Sequence, residues 1–347
     1  MHRTRMQTKT PPHLSDRFMR FKKNKRGYFS LWIFCILFGI SLISEFIAND
    51  KPILICYDSK LYFPVFKNYS ELIFGGEFDI YADYRDPYIK ELINKKGQMI
   101  MPPIQFSYNT INYNLERAAP APPSADNILG TDDRGRDIAA RLLYGFRISV
   151  LFGLALTLTS SIIGITLGAL QGYYGGLFDI IFQRFMEVWS GMPTLFILII
   201  LSSIIEPNFW WLLFITLLFG WMSLVGLVRA EFLRARNFEY VLAARAMGAG
   251  NARIMFIHML PNAMTSTLSY LPFILAGSVT TLTSLDFLGF GLPVGSPSLG
   301  ELLAQGKAEI KSPWIGISVF AVLSIMLSLL VFIGEAVRDA FDPRRRS

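Results

Sequence analysis

Few of the residues that carry chemistry stand where chemistry would need them. The three histidines, His2, His13 and His258, are too scattered for metal-ligand spacing or for the base of a nucleophilic triad. Cys35 falls in an apolar run and Cys56 in the polar segment after it, so no disulfide framework or metal cluster is implied. A phosphate-cradling loop needs G-x-x-x-x-G-K-[ST], in which backbone N–H groups and a lysine surround a polyphosphate. Gly306-Lys307 is followed by Ala308, and nothing else matches. Arg184, Glu187, Glu206 and Asp286 lie at the ends of apolar runs, whereas a proton-driven transporter keeps ionisable groups in mid-span. Covalent catalysis, metal chemistry and proton coupling all lack their residues. Any energy this chain uses is expected to enter from elsewhere.

The elements that carry these residues are mostly apolar. The chain has 347 residues, 52% of them hydrophobic, with a net charge of +7. Five runs contain no charged residue: 148–170, 188–205, 207–228, 263–285 and 314–334. A sixth, 28–44, is shorter but rich in Phe, Ile and Leu. Each is near the ~20 residues a helix needs to cross ~30 Å of hydrocarbon. Six such runs predict an all-α polytopic membrane protein with six transmembrane helices. No small-residue cleavage site follows 28–44, so it reads as an uncleaved span and not as a signal peptide.

Charge then orients the spans. Arg3, Arg5, Lys9, Arg17, Arg20, Lys22, Lys23, Lys25 and Arg26 precede the first run, opposed only by Asp16. Positive flanks stay cytoplasmic, which places the N-terminus inside. Six crossings return the C-terminus inside, where Arg338 and Arg344, Arg345 and Arg346 agree. The segment with Arg229, Arg234, Arg236, Arg245 and Arg253 also falls inside. The basic N-terminus is thus a topology signal and no nucleic-acid site is expected. The implied organisation is a basic tail (1–27), a first span (28–48), an external insertion (49–117), a joint (118–145), a five-helix core (146–336) and a tail (337–347). The insertion mixes aromatics such as Tyr57, Tyr62, Phe74 and Tyr84 with charges of both signs, enough to fold around a small core. The proline-rich 118–124 cannot continue a helix and marks a boundary.

Two spans are unusual in composition. In the second, Gly164 and Gly168 stand one turn apart and let another helix approach closely. The fifth carries Ser278, Thr280, Thr281, Thr283 and Ser284 near Pro272. Hydroxyls can satisfy themselves on the preceding turn, yet so many on one span favour a polar path. Thr280, Thr281, Ser284 and Asp286 are its expected lining.

Between the fourth and fifth spans lies YVLAARAMGAGNARIMFIHMLPN, residues 240–262, within a cytoplasmic loop spanning 230–262. Tyr240 to Met247 have good helix propensity, and Gly248 suits a left-handed cap. Asn251 is placed to cap a second helix running to Leu260, where Pro261 would stop it. Ala244 and Gly248 are four residues apart and share a side, with Ala243 and Met247 on the adjacent stripe. A face of alanine and glycine is one that another protein can approach closely.

This stretch resembles the "EAA" loop of permease subunits in binding-protein-dependent ABC importers, whose pattern is E-A-A, three residues, G, nine residues, I-x-L-P. Ala243, Ala244, Gly248, Leu260 and Pro261 fall on it; Leu242 replaces the glutamate and His258 the isoleucine. The ending HMLPN resembles the dipeptide and oligopeptide class. LGTDDRGRD at 129–137, LDFLGFG at 285–291 and RDAFDPR at 338–344 are similar to further signatures of that class's "C"-type permeases. The long insertion resembles the Yej-type peptide permeases. The resemblance implies that Leu242, Ala243, Ala244, Arg245, Met247, Gly248, Leu260 and Pro261 couple the spans to an ATPase. It also implies a homologous second permease completing a heterodimer, two cytoplasmic ATPase subunits that hold ATP and Mg, and a periplasmic binding protein. The chain itself would bind no cofactor and catalyse nothing in the bacterial inner membrane. Peptides are the implied solute, with nickel complexes or other small solutes as alternatives. A secondary transporter would need mid-span ionisable groups and internal repeats, and neither is evident.

Overall fold

The computed structural model describes residues 14–205 and 208–341. His2, Arg3, Arg5, Lys9, His13, Glu206, Arg344, Arg345 and Arg346 lie outside them. The chain starts with a basic helix, α1 (Leu14–Lys23), and turns at Asn24 into α2 (Lys25–Leu42). Asn24 accepts a hydrogen bond from the Gly27 N–H, which satisfies one of the free donors of the first turn. A single turn, α3 (Ser44–Ile47), ends the apolar run.

The insertion folds around its own core. β1 (Leu54–Tyr57) and β2 (Lys60–Tyr62) form a hairpin whose turn residues, Asp58 and Ser59, both have positive φ, the conformation that matches strand twist. α4 (Pro87–Lys96) returns the chain to β3 (Gly97–Ile100), and the antiparallel sheet has the order β2-β1-β3. Ile55, Tyr57, Phe74, Tyr84, Ile89 and Ile93 are buried together, with Phe74 meeting Tyr57 and Tyr62 edge-on. The sheet is confined to this insertion; the bilayer part is helical.

α5 (Ile138–Tyr174) is the axis of that part. Its 37 residues extend about 55 Å. Asp137 starts it by accepting from the Ala140 N–H at 2.7 Å, and Gly175, at φ +62°, stops it. α6 (Gly176–Ser190) and α7 (Thr194–Ile204) follow, then α8 (Phe209–Gly220) and α9 (Met222–Ala235). α9 lies along the glycine stripe of α5. A Cβ at Gly164 would stand 2.5 Å from the Trp221 carbonyl, and one at Gly168 would stand 2.7 Å from that of Val225. Only glycine permits this approach. The loop helices α10 (Glu239–Ala246) and α11 (Asn251–Arg253) lead through a π turn (Ile254–Met259) into α12 (Leu260–Leu268) and α13 (Leu271–Phe287). α14 (Leu299–Ala308) and α15 (Pro313–Phe341) complete the bundle. The main core joins α2, α5, α13, α14 and α15 through Phe34, Phe146, Val279, Leu302 and Met326.

Among the described residues, four single helices are long and apolar enough to cross a membrane: α2, α5, the stretch Phe209–Ala235 and α15. The pair Asn251–Leu268 and Leu271–Phe287, bent by 56° beside Pro272, meets the same measure of length and composition only when taken together, as a broken span or a re-entrant loop does. The run 188–205 departs from expectation. Gly191 to Pro193 separate the end of α6 from α7, whose 11 residues extend only about 16 Å. Hydropathy there is high, but no one helix carries it.

Candidate coupling loop and translocation cleft

The loop at 239–261 is built as expected at its first end. α10 closes with paired backbone bonds, Gly248 N–H to the Arg245 carbonyl and Ala249 N–H to the Ala244 carbonyl, both 3.0 Å. This closure needs a left-handed residue, and Gly248 supplies φ +82°. The second end differs. Gly250 precedes α11, and Asn251 is its first residue, with its Oδ1 accepting from the Tyr173 hydroxyl at 2.7 Å. Pro261 does not stop the helix. The π turn before it sends the Leu260 N–H to the Met255 carbonyl, a wide turn that accommodates the ring, and the helix continues to Leu268.

The faces of α10 are also redistributed. Ala244 is 3% exposed and buried with Val241, Ile254, Met255 and Met259 against Tyr173 of α5 and Phe232 of α9. It belongs to the loop's own core and not to an outer face. Leu242 (49% exposed) and Met247 (81%) stand outside, together with Ala243, Arg245 and Gly248. Arg245 reaches across the Tyr173 ring, with 5.7 Å from guanidinium to centroid. Leu260 packs partly against the same core, and Pro261 is exposed. Thus the loop has a locked back and an unlocked apolar front. Its back grips the ends of α5 and α9, the two helices that meet along the Gly164, Gly168 and Gly172 stripe.

A cleft of about 500 Å³ opens between α5, α7, α8, α9 and α13. Ser160, Thr194, Thr216, Ser223, Ser278 and Thr281 contribute its hydroxyls, and no lining residue is charged. Most of those hydroxyls donate to their own helix: Ser278 to the Ile274 carbonyl and Thr281 to that of Gly277, both at 2.9 Å. Of the four residues expected to line a path, only Thr281 is in this cleft. Thr280 and Ser284 are exposed on the adjoining face of α13, and Thr280 donates to the Ala276 carbonyl. Asp286 is elsewhere. It is buried, accepts from Ser298 and from the Leu292 N–H at 2.7 Å, and ties the end of α13 to the segment before α14. That makes it a brace, beside a separate cleft lined also by Ser298 and Glu301. The cleft residues of α5, α7, α8 and α9 were not recognised in the sequence, because isolated hydroxyls in apolar runs carry no signal of direction.

A second cluster also escaped sequence reasoning. Arg136 holds Asp132 at 2.7 Å and Glu301 at 3.2 Å, while Arg141, fully buried, reaches Glu301 at 3.1 Å and the Ser296 carbonyl at 3.2 Å. Glu301, from α14, therefore joins two arginines that frame the start of α5. Beside it, Asn112 donates to Asn127 and Asn127 to Asp137, at 2.9 and 2.8 Å. Burial pushes the Asp137 carboxyl above its ordinary range, against the hydrogen bonds from Asn127 and the Ala140 and Ala139 backbone. Burial likewise raises Asp133, helped by the neighbouring Asp132 charge. The spacing of Asp132 with Arg136, i to i+4, was the readable clue. Glu301 had none. Cys35 and Cys56 are both free.

Apolar helices around an uncharged cleft, with a helical loop braced at one end, define a multi-pass transport subunit. The chain belongs to the family of binding-protein-dependent transport system inner membrane components, which matches residues 164–347. It is 62% identical to the inner membrane ABC transporter permease protein YejE of Escherichia coli K12, over 95% of this chain and 96% of that one. It is 56% identical to the peptidoglycan transport system permease protein YejE of Agrobacterium fabrum, over 96% and 94%. The oligopeptide transport system permease protein OppC of Lactococcus lactis subsp. cremoris is 34% identical over 68% of this chain and 82% of its own. This is a multi-pass permease subunit of an ABC transporter in the inner membrane.

Proposed function

We propose that this chain forms half of an import pathway for peptides or peptide-like solutes and contributes no catalysis of its own. A homologous permease supplies the other half, and the exposed face of α13 with Thr280, Thr281 and Ser284 faces it. ATP and Mg are held by ATPase subunits, which press on the loop; the observation that carries this reading is the exposed Leu242 and Met247 front on a back locked to α5 and α9. A push on such a loop moves both helices and so changes the cleft between them. The peptide assignment rests on the names of relatives, which include oligopeptide, dipeptide and peptidoglycan systems. The broken pair α6 and α7 together makes the sixth crossing, so that both termini lie in the cytoplasm and the insertion faces the periplasmic binding protein.

Two measurements test this. Met247→Glu puts a charge on an exposed position and costs the fold under ~0.5 kcal/mol. The variant should insert normally but recover less than about a tenth of the ATPase when the complex is pulled down from membranes, a loss of ~1.4 kcal/mol or more. Wild-type recovery would remove the loop from the docking surface. The orientation is tested separately by cysteine labelling. Single cysteines at Ser70 and Ala252 should react with an impermeant reagent from opposite sides, and reaction from one side would overturn the proposed topology.

A further inference from the structure

The insertion contains a cleft that the transport reading does not use. It has a volume of about 540 Å³ and forms where the segment 81–86 meets residues 50–51 and 110–114. That volume is in the range of small-ligand sites. Two tyrosines at this cleft, Tyr81 and Tyr113, are 73% and 85% exposed, although the same insertion buries Tyr57 and Tyr84 in its core. Exposed rings of this size at a cleft offer apolar surface on which a ligand can stack.

The polar groups between them are already oriented. Asp83 accepts from the Arg85 N–H, Asp86 from the Tyr88 N–H and Asp50 from Thr110, all at 2.9 Å. Each carboxylate commits one oxygen to the fold and keeps the other as an acceptor. Arg85 is fixed by stacking over Phe106 at 4.4 Å and by donating to the Ile111 carbonyl. Lys51 is held by Asn68 at 2.6 Å. Three carboxylates against two cations leave the cleft close to neutral, which disfavours a strongly charged guest. The Asn114 amide adds both a donor and an acceptor at the rim.

We infer that this cleft is a saccharide-binding site, in which Tyr81 and Tyr113 stack on the apolar faces of pyranose rings and Asp50, Asp83, Asp86 and Asn114 take their hydroxyls. A pyranose presents C–H groups on its faces and hydroxyls around its edge. The cleft brings two exposed aromatic rings together with fixed acceptors. A neutral polyol can donate to the free carboxylate oxygens and accept from Lys51 and Arg85, so it uses both signs of charge at once. The ligand class is therefore a neutral sugar, free or carried on a peptide.

The test uses the full chain in lipid nanodiscs, titrated calorimetrically with N,N′-diacetylchitobiose and separately with trilysine. Chitobiose should bind saturably, and Tyr81→Ala and Tyr113→Ala should each weaken it about tenfold. Asp83→Asn should weaken it as well, while trilysine shows no saturable binding. No chitobiose binding, or binding unchanged in the double tyrosine variant, overturns the proposal. So does trilysine binding that is lost in Asp83→Asn, which would make this a cation site. A third overturning result is loss of binding-protein docking in the tyrosine variants while chitobiose binding persists. The titration needs no partner or ATP, so its failure would leave the import reading standing.

Discussion

Glu301→Ala is expected to yield a chain that inserts poorly or unfolds early on heating, with a loss of about 3–5 kcal/mol. The reason is the company that Glu301 keeps. Arg141 has no exposed surface, and its nearest carboxylate oxygen, at 3.1 Å, belongs to Glu301. Asp132 stands farther, at 3.6 Å, and is already engaged by Arg136 at 2.7 Å. Removing Glu301 leaves a guanidinium buried without an adequate counter-charge, and both arginines lose their tie to α14. Glu301→Gln keeps the shape and one acceptor, so its loss should be smaller. Size-exclusion profiles and thermal unfolding in detergent order the three proteins as wild type, glutamine, alanine. Equal stability of alanine and wild type would show that the cluster contributes nothing.

The second large effect is at Ala244. Its methyl group is packed among the apolar side chains of Val241, Ile254 and Met255. Ala244→Asp must either bury a carboxyl without a partner or force the loop away from α5 and α9, at roughly 2–6 kcal/mol. The neighbouring Ala243→Asp is the comparison, since Ala243 is exposed and should cost under ~0.5 kcal/mol. Limited proteolysis of membranes separates the two. Ala244→Asp should open the loop to cleavage, and Ala243→Asp should resist as wild type does while still losing ATPase in a pull-down. Equal cleavage of both would mean that Ala244 is not held in a core.

Sequence alone made the helical membrane class legible because hydropathy is a local property, read without knowing what packs against what. Gly248 was readable for the same reason: a helix propensity that ends at a glycine needs no partner to interpret. The errors share another origin. Ala244 and Ala243 look alike in sequence, and which one is buried depends on Tyr173 and Phe232, more than sixty residues earlier and about ten residues earlier respectively. Asp286 looked like a lining group because it ends a hydroxyl-rich stretch, but Ser298 claims it. Glu301 is an ordinary first-turn carboxylate until Arg136 and Arg141 are brought to it. The run 188–205 was misjudged locally: Pro193 divides it, and the apolar average conceals one proline.

The π turn at Ile254–Met259 has a consequence for how rotation passes along the chain. A turn with one residue more than the α-helical repeat advances the phase of everything after it by about 100°. The loop's locked face and the cleft-facing side of α13 are thus keyed to each other through α12 and its 56° bend by a set angular offset. Deleting one residue from this turn would keep the helix continuous and its length nearly unchanged. It would also turn the hydroxyl stripe of α13 toward a different neighbour, so that a push arriving at α10 would be geared to the wrong side of the bundle.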